Sequence, residues 1–284
     1  MKNNVFLLSL IMELALLISC SSDDSDNFVT PDYSSRGERV AVTFSSPSIC
    51  MMLTRATEVD FENKDAISIS AVDSSWTKST TLLSNGNYAD NMKYESDGSQ
   101  LVAKDLPIFQ FKHHPLKLVF YAVYPYKLHY TPQFYFEVRP NQIGHQNFTD
   151  SDLAMQKVSS SETNVGLSLK HMLCDVEITI KGDLNSKVIS NPRLVNVCSK
   201  VLADQNTQTV ETIDSIKLDK IYAGVLSKTD TTYSFHAIVA PQQIEKLQHF
   251  VTITVDGNDM ELKAAETMTL VSGRRYRFAY TLNN

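Results

Sequence analysis

The sequence predicts an all-β protein built from two tandem β-sandwich domains. Hydrophobic and polar residues alternate along many short segments, which is the pattern of half-buried strands. Polar turns separate these segments, and segments with helical periodicity are few. Many short strands joined by turns favour sandwiches over a parallel α/β sheet. A stretch with the composition of a linker, VSSSETNVG at 158–166, divides the chain into two parts of ordinary domain size.

The first segment has the pattern of a secretory leader. Lys2 precedes an apolar run of 14 residues, 5–18, that Glu13 interrupts. A membrane-spanning helix needs about 20 predominantly apolar residues. The shorter run therefore predicts a signal peptide over residues 1–19, which is removed from the mature protein.

The segment LISC at 17–20 resembles a bacterial lipobox, in which the cysteine thiol receives a diacylglycerol. That resemblance implies that Cys20 is the lipid site and binds the chain to outer-membrane lipid. The serines and aspartates after Cys20 resemble the export signal of surface lipoproteins. Residues 20–37 are then a polar tether, too poor in apolar groups to fold alone. The alternative is an ordinary signal peptide that happens to contain a cysteine.

The predicted strands begin at RVAVTF, 39–44, where Val40, Val42 and Phe44 alternate with other residues. LKLVFYAVYPY at 116–126 is apolar on both faces and predicts a central strand covered on both sides. The other predicted strands lie within 66–72, 134–138, 167–182, 193–198, 216–222, 233–239, 250–255 and 275–282. Two segments, SDLAMQKV at 151–158 and PQQIEKLQ at 241–248, are predicted to form a helical turn or two.

The sequence contains no pattern typical of a catalytic site. It has no G-x-G loop, no G-x-S-x-G elbow and no H-E-x-x-H pair. Adjacent His113 and His114 would point to opposite faces of a strand and not at one metal. Cys50, Cys174 and Cys198 allow at most one disulfide, and buried free thiols are the expectation. The net charge of −6 argues against nucleic acid as a partner. We therefore expect no enzymatic activity, cofactor or metal.

Six segments, in this order, resemble the fimbrillin-like proteins of Bacteroidales, the subunits of type V pili. They are TRATEVDFENKDAISISAV, LVFYAVYPY, SDLAM, LSLKHMLCDVEITIKG, IVAPQQI and LVSGRRYRFAYTLNN. Together they cover nearly the whole chain after the leader. Phe109 and Phe111 stand where the family commonly shows Trp or Tyr, and Met155 follows Ala154 where the family has Leu-Met. These departures concern the subfamily more than the fold.

The resemblance implies two transthyretin-like β-sandwiches, over 38–162 and 163–284, and a mechanism of polymerisation. In the family, an Arg-specific surface protease cuts the lipidated precursor after the first strand, and a strand of another subunit fills the groove that opens. In this sequence the cut would fall between Arg55 and Ala56. It would release the strand that carries Val40, Val42 and Phe44. As an alternative, Arg55 is an ordinary loop arginine among 26 basic residues.

The C-terminal strand has the pattern that strand donation requires. Four apolar side chains share one of its faces: Tyr276, Phe278, Tyr280 and Leu282. Arg275 and Arg277 take the other face. The alternative is that this strand completes its own second domain, because anchor and tip subunits need not donate a strand.

The implied function is that of a fimbrial subunit or accessory adhesin. It would be exported as a surface lipoprotein of the outer membrane, join the fimbrium after processing, and have other pilus subunits as partners. The alternative is a surface glycan-binding lipoprotein of a polysaccharide-uptake system. That alternative predicts exposed aromatic side chains near Trp76.

Overall fold

A computed structural model of the protein describes residues 31–50, 59–214, 217–218 and 220–282, without the side chains of 46–50, 59, 60 and 217. Strands make up 53% of the structure and helices 5%, so the predicted all-β fold is confirmed. The helical segments are a 3-10 turn at Ser34–Arg36, α1 at Ser74–Thr77 and α2 at His145–Thr149. The described residues from Ser34 onward belong to one compact unit.

Eleven strands occupy the N-terminal part of the described chain. They are β1 Arg39–Ala41, β2 Thr43–Cys50, β3 Val59–Asp60, β4 Ala66–Asp73, β5 Ala89–Ser96, β6 Gln100–Ala103, β7 Phe109–Phe111, β8 Leu118–Tyr124, β9 Gln133–Glu137, β10 Ala154–Ser160 and β11 Asn164–His171. All seven residues of β8 are buried. The apolar segment predicted to be a central strand therefore is one.

Fourteen strands follow in the C-terminal part of the described chain. They are β12 Cys174–Lys181, β13 Ile189–Leu194, β14 Val197–Cys198, β15 Lys200–Asp204, β16 Thr209–Thr212, β17 Lys217–Leu218, β18 Ile221–Tyr222, β19 Gly224–Lys228, β20 Thr232–Val239, β21 Gln242–Ile244, β22 His249–Val255, β23 Asn258–Lys263, β24 Met268–Leu270 and β25 Arg275–Thr281.

The largest sheet has eight strands in the order β11-β10-β8-β4-β5-β6-β2-β3. The sheet closes on itself, because β2 pairs antiparallel with β6 and also parallel with the end strand β11. The predicted single strand at 39–44 is divided between β1, which pairs with β7, and β2. The backbone N–H of Val42, between the two, donates to the carbonyl of Ile108 at 2.7 Å.

Two four-stranded sheets form most of the C-terminal part. Their orders are β19-β20-β12-β25 and β18-β13-β22-β23. The strand β9 from the N-terminal part pairs with β15 from the C-terminal part, in register from Gln133↔Asp204 to Glu137↔Lys200. The two parts therefore share backbone hydrogen bonds as well as side-chain contacts.

The main hydrophobic cluster draws on both parts of the chain. Val123 and Met155 of the large sheet belong to the same cluster as Ile178 and Phe250. The stretch 158–166, predicted to be a linker, forms the ends of β10 and β11 and the turn between them. The division into domains at 162/163 stays a prediction. The strand β11, which follows this position, pairs within the large sheet.

The two helical predictions are wrong. SDLAMQKV at 151–158 enters β10, which pairs with β8 from Ala154↔Tyr124 to Ser160↔Leu118. PQQIEKLQ at 241–248 contains β21, which pairs with β24. In both segments, pairing with a strand that is distant in the sequence outweighs weak local helical propensity.

Candidate functional site

The strand β2 contributes core residues to the sheet that it closes. The ring of Phe44 is fully buried, with its centroid 4.9 Å from that of Tyr94 and 5.4 Å from that of Phe120, both edge to face. Val42, just before β2, is also buried, whereas Val40 on β1 is half-buried. Each fully buried side chain of this size contributes about 1.5–3 kcal/mol.

The seam between β2 and β11 is parallel. Val165 lies beside Phe44 and Leu169 beside Ile49, with a register shift between Gly166 and Ser168. Since β2 also pairs with β3 and β6, its removal would leave an unpaired edge on all three neighbours, although β6 would keep β5 and β11 would keep β10. Unpaired strand edges of this kind accept another strand readily.

The C-terminal strand β25 forms a second parallel seam, with β12. Val176 lies beside Tyr276, Ile178 beside Phe278, and Ile180 beside Tyr280. These three aromatic side chains of β25 are half-buried and pack against the main cluster, while Leu282 after the strand is buried.

Aromatic contacts and burial hold this face of β25 in place. The ring of Phe278 meets that of Phe250 edge to face, at 5.6 Å between centroids. Burial raises the pKa of Tyr280 to about 12. In this structure β25 is an edge strand that completes its own sheet.

Carboxylates on β12 pair with the arginines of β25. Arg275 Nε lies 2.8 Å from Asp175 Oδ2, and Arg277 Nε lies 3.2 Å from Glu177 Oε2. Asp175 is fully buried, so its pairing with a guanidinium is required to offset the cost of desolvation. The alternation of the sequence does not by itself predict these two acids as partners. Their spacing of two residues in CDVEITIK, matching that of the arginines in RYR, is the signal that could have revealed them.

Three predicted site residues, Cys20, Arg55 and Ala56, lie outside the described residues. Cys174 and Cys198 are buried, and no disulfide joins them to each other. Trp76 lies in α1 with its side chain 49% exposed. None of the helices in the described part of the chain has the length and hydropathy of a membrane span. The described residues include no cluster of three or more His, Cys, Asp or Glu that could hold a metal ion.

The sequence matches the profile of the fimbrillin-like family over residues 54–284. The chain belongs to this family. The matched region begins after β2 and includes every later strand, through β25. Membership supports the function of a fimbrial subunit, which is part of an appendage at the cell surface. It also favours a structural over an enzymatic role. Other pilus subunits are the partners that it implies.

Solved structures show the same fold. A candidate cell adhesion protein from Bacteroides ovatus matches with a TM-score of 0.65 and 11% identity, over 86% of this chain and 93% of that one. One from Bacteroides uniformis matches with a TM-score of 0.60 and 20% identity, over 86% and 92%. One from Bacteroides fragilis matches with a TM-score of 0.52 and 14% identity, over 86% of this chain and 93% of that one. No curated protein matches the sequence.

Proposed function

We propose that this chain is a fimbrial subunit, exported as a surface lipoprotein and assembled by protease-triggered strand exchange. Its membership of the fimbrillin-like family supports the role of a subunit. The position of β2 supports the assembly mechanism most directly. This N-terminal strand lies between β6 and β11 and closes the large sheet. In the sequence it precedes the proposed cleavage site between Arg55 and Ala56.

Export comes first in the proposed sequence of events. Acylation of Cys20 would hold the chain at the outer membrane, because two or more long acyl chains bind a membrane stably. The polar residues that follow would separate the folded part from the lipid surface. This step rests on the resemblance of LISC to a lipobox.

Cleavage between Arg55 and Ala56 would separate β1 and β2 from the rest of the chain. The core would lose Val42 and Phe44, and the edges of β6 and β11 would lose their shared partner. The remaining sheet would then be open between β6 and β11. An apolar groove with two free edges is the acceptor that strand addition needs.

A strand from a second subunit would fill this groove. The apolar face of β25, with Tyr276, Phe278, Tyr280 and Leu282, has the alternation that such a strand requires. Four anchors at about 1.5–3 kcal/mol each would supply about 6–12 kcal/mol. From this the ordering costs and the loss of the contacts that β25 makes in its own sheet must be subtracted. β25 runs parallel to its neighbour β12, and β2 runs parallel to its neighbour β11. A donated β25 that paired with β11 in place of β2 would therefore keep the parallel pairing that it already forms.

N-terminal sequencing of the protein taken from cell surfaces tests this proposal. We expect two forms, a precursor that begins at lipidated Cys20 and an assembled form that begins at Ala56. If every assembled chain began at Cys20, cleavage-triggered exchange would be wrong for this subunit. Saturable binding of a polysaccharide by an intact, lipidated monomer would instead favour the glycan-binding alternative.

A further inference from the structure

A cavity of about 610 Å³ lies beside the large sheet, next to the parallel seam of β2 and β11. It is bordered by β10 and β11, by the tip of the β15–β16 hairpin, and by the turn before β25. Its apolar lining comes from Met155, Met172, Val210 and Val271. Its volume falls in the range of small-molecule sites, about 300–1,000 Å³.

The turn on one side of the cavity is fixed by hydrogen bonds. The hydroxyl of Ser272 donates to the carbonyl of Met172 at 2.8 Å, and the N–H of Gly273 donates to that of Leu173 at 2.9 Å. The N–H of Val271 donates to the hydroxyl of Tyr276 at 2.7 Å. This side of the cavity is therefore already formed before any ligand enters.

The hairpin on the opposite side is also held. The side-chain amide of Gln208 donates to the carbonyl of Gln205 at 2.7 Å. Asn206 at the hairpin tip exchanges two hydrogen bonds, of 2.8 and 3.1 Å, with the backbone of Leu82. A preformed site binds more tightly because less entropy is lost when the ligand enters.

The charge of the cavity is positive. Two lysines, Lys157 and Lys170, are among the thirteen described residues that line it, and none of the thirteen is Asp or Glu. The ammonium of Lys157 lies 3.5 Å from the carbonyl of Asn206 and 5.2 Å from the ring centroid of Tyr121. Lys170 is exposed.

We propose that this cavity binds a small amphipathic carboxylate, such as a medium-chain fatty acid. The apolar lining would hold the alkyl chain, and methionine side chains adapt readily to such a ligand. The lysines would bind the carboxylate through charge-assisted hydrogen bonds, which are about twice as strong as neutral ones. No described residue of β2 or β25 lines the cavity, although its residues Ser168 and Lys170 pair with β2 and Val271 is hydrogen-bonded to Tyr276.

Titration of the purified protein with decanoate tests the proposal, with methionine methyl resonances as the readout. We expect the methyl signals of Met155 and Met172 to shift saturably, and that of Met260 on β23 to stay in place. The neutral amide of the same acid, decanamide, should bind about tenfold more weakly, because it lacks the charge that the lysines recognise.

Substitution of Lys170, at the mouth of the cavity, is the second test of the proposal. Lys170→Gln should weaken decanoate binding about tenfold. Lys228→Gln, at an exposed position on β19 outside the cavity, should leave the affinity unchanged. Equal affinity for decanoate and decanamide would overturn the proposal, and so would the absence of saturable shifts at Met155 and Met172.

Discussion

Asp175 is the residue whose loss should weaken the attachment of β25 most. Its fully buried carboxylate pairs with Arg275, whose side chain is only 19% exposed. Asp175→Ala would leave that guanidinium with only the more distant carboxylate of Glu177, at 3.9 Å. We expect the free energy of unfolding to fall by about 3–5 kcal/mol, as for other broken buried pairs. Urea denaturation measures this loss.

Glu177 provides the matched control for Asp175 on the same strand. Its nearer partner Arg277 is 56% exposed, so solvent screens that pair, and its second partner, Arg275 Nη1, lies farther away at 3.9 Å. Glu177→Ala should therefore cost less than about 1 kcal/mol. If the two substitutions cost the same, burial would not be what distinguishes the two pairs.

Gly273, in the turn before β25, is required by both conformation and space. Its φ is +75°, and a Cβ there would lie 2.8 Å from the carbonyl oxygen of His171. Gly86 has a similar φ of +74° with nothing within 4 Å of a Cβ. We expect Gly86→Ala to cost about 1–2 kcal/mol from conformation alone.

Gly273→Ala should cost more than Gly86→Ala, because a backbone carbonyl would have to move as well. Thermal unfolding of the two variants, compared with the unsubstituted protein, measures the difference. Equal costs would mean that the turn relaxes away from His171 without loss of stability.

At the scale of elements, period-two alternation predicted most strands but not their partners. It placed the buried strand at 116–126 and the core positions Val42 and Phe44. It did not show that β2 pairs with β11, because Thr43 and Asn164 lie far apart in the sequence. Local patterns report which face of a strand is buried, whereas the choice of neighbour depends on the whole fold.

The element β2 provides the sharpest test of the proposed assembly. Arg55→Ala removes the arginine at which the chain would be cut, so β1, β2 and Cys20 should stay attached to the rest of the chain. We expect this variant to fold, to remain at the outer membrane, and to form no polymers. N-terminal sequencing and the size of surface assemblies measure these outcomes.

Arg36→Ala is the control for the cleavage experiment. Arg36 precedes β1, and its guanidinium donates to the carbonyl of His114. A cut after Arg36 would leave β1 and β2 in place, so its loss should not affect assembly. Normal polymers from Arg55→Ala would contradict cleavage at this site.

At the scale of the whole molecule, composition did not predict that the stretch 158–166 takes part in the large sheet. The Ser-rich stretch 158–166 has linker composition, yet it belongs to two paired strands and their turn. Its polar residues suit the exposed end of a hairpin equally well. The two parts share one hydrophobic cluster, to which both Val123 and Phe250 belong. That cluster depends on contacts between residues far apart in the sequence, which no local pattern predicts.

Buried tyrosines should limit the stability of the whole fold at alkaline pH. Burial raises the pKa of Tyr94 and of Tyr280 to about 12, whereas an unfolded tyrosine titrates near pH 10. Because the unfolded state loses these protons first, their contribution is complete below about pH 10 and is lost as pH rises through 12. We expect circular dichroism and tyrosinate absorbance to change together in this window.

Tyr94→Phe separates this effect from general alkaline damage. The hydroxyl of Tyr94 accepts a hydrogen bond from the buried N–H of Ile108 at 2.8 Å, so its loss should cost about 1–3 kcal/mol at neutral pH. The variant has one fewer group to ionise on unfolding, so its stability should fall less steeply between pH 10 and 12. An unchanged slope would show that Tyr94 does not contribute to alkaline unfolding. Full tyrosinate absorbance at pH 10 with the fold intact would contradict the burial of these rings.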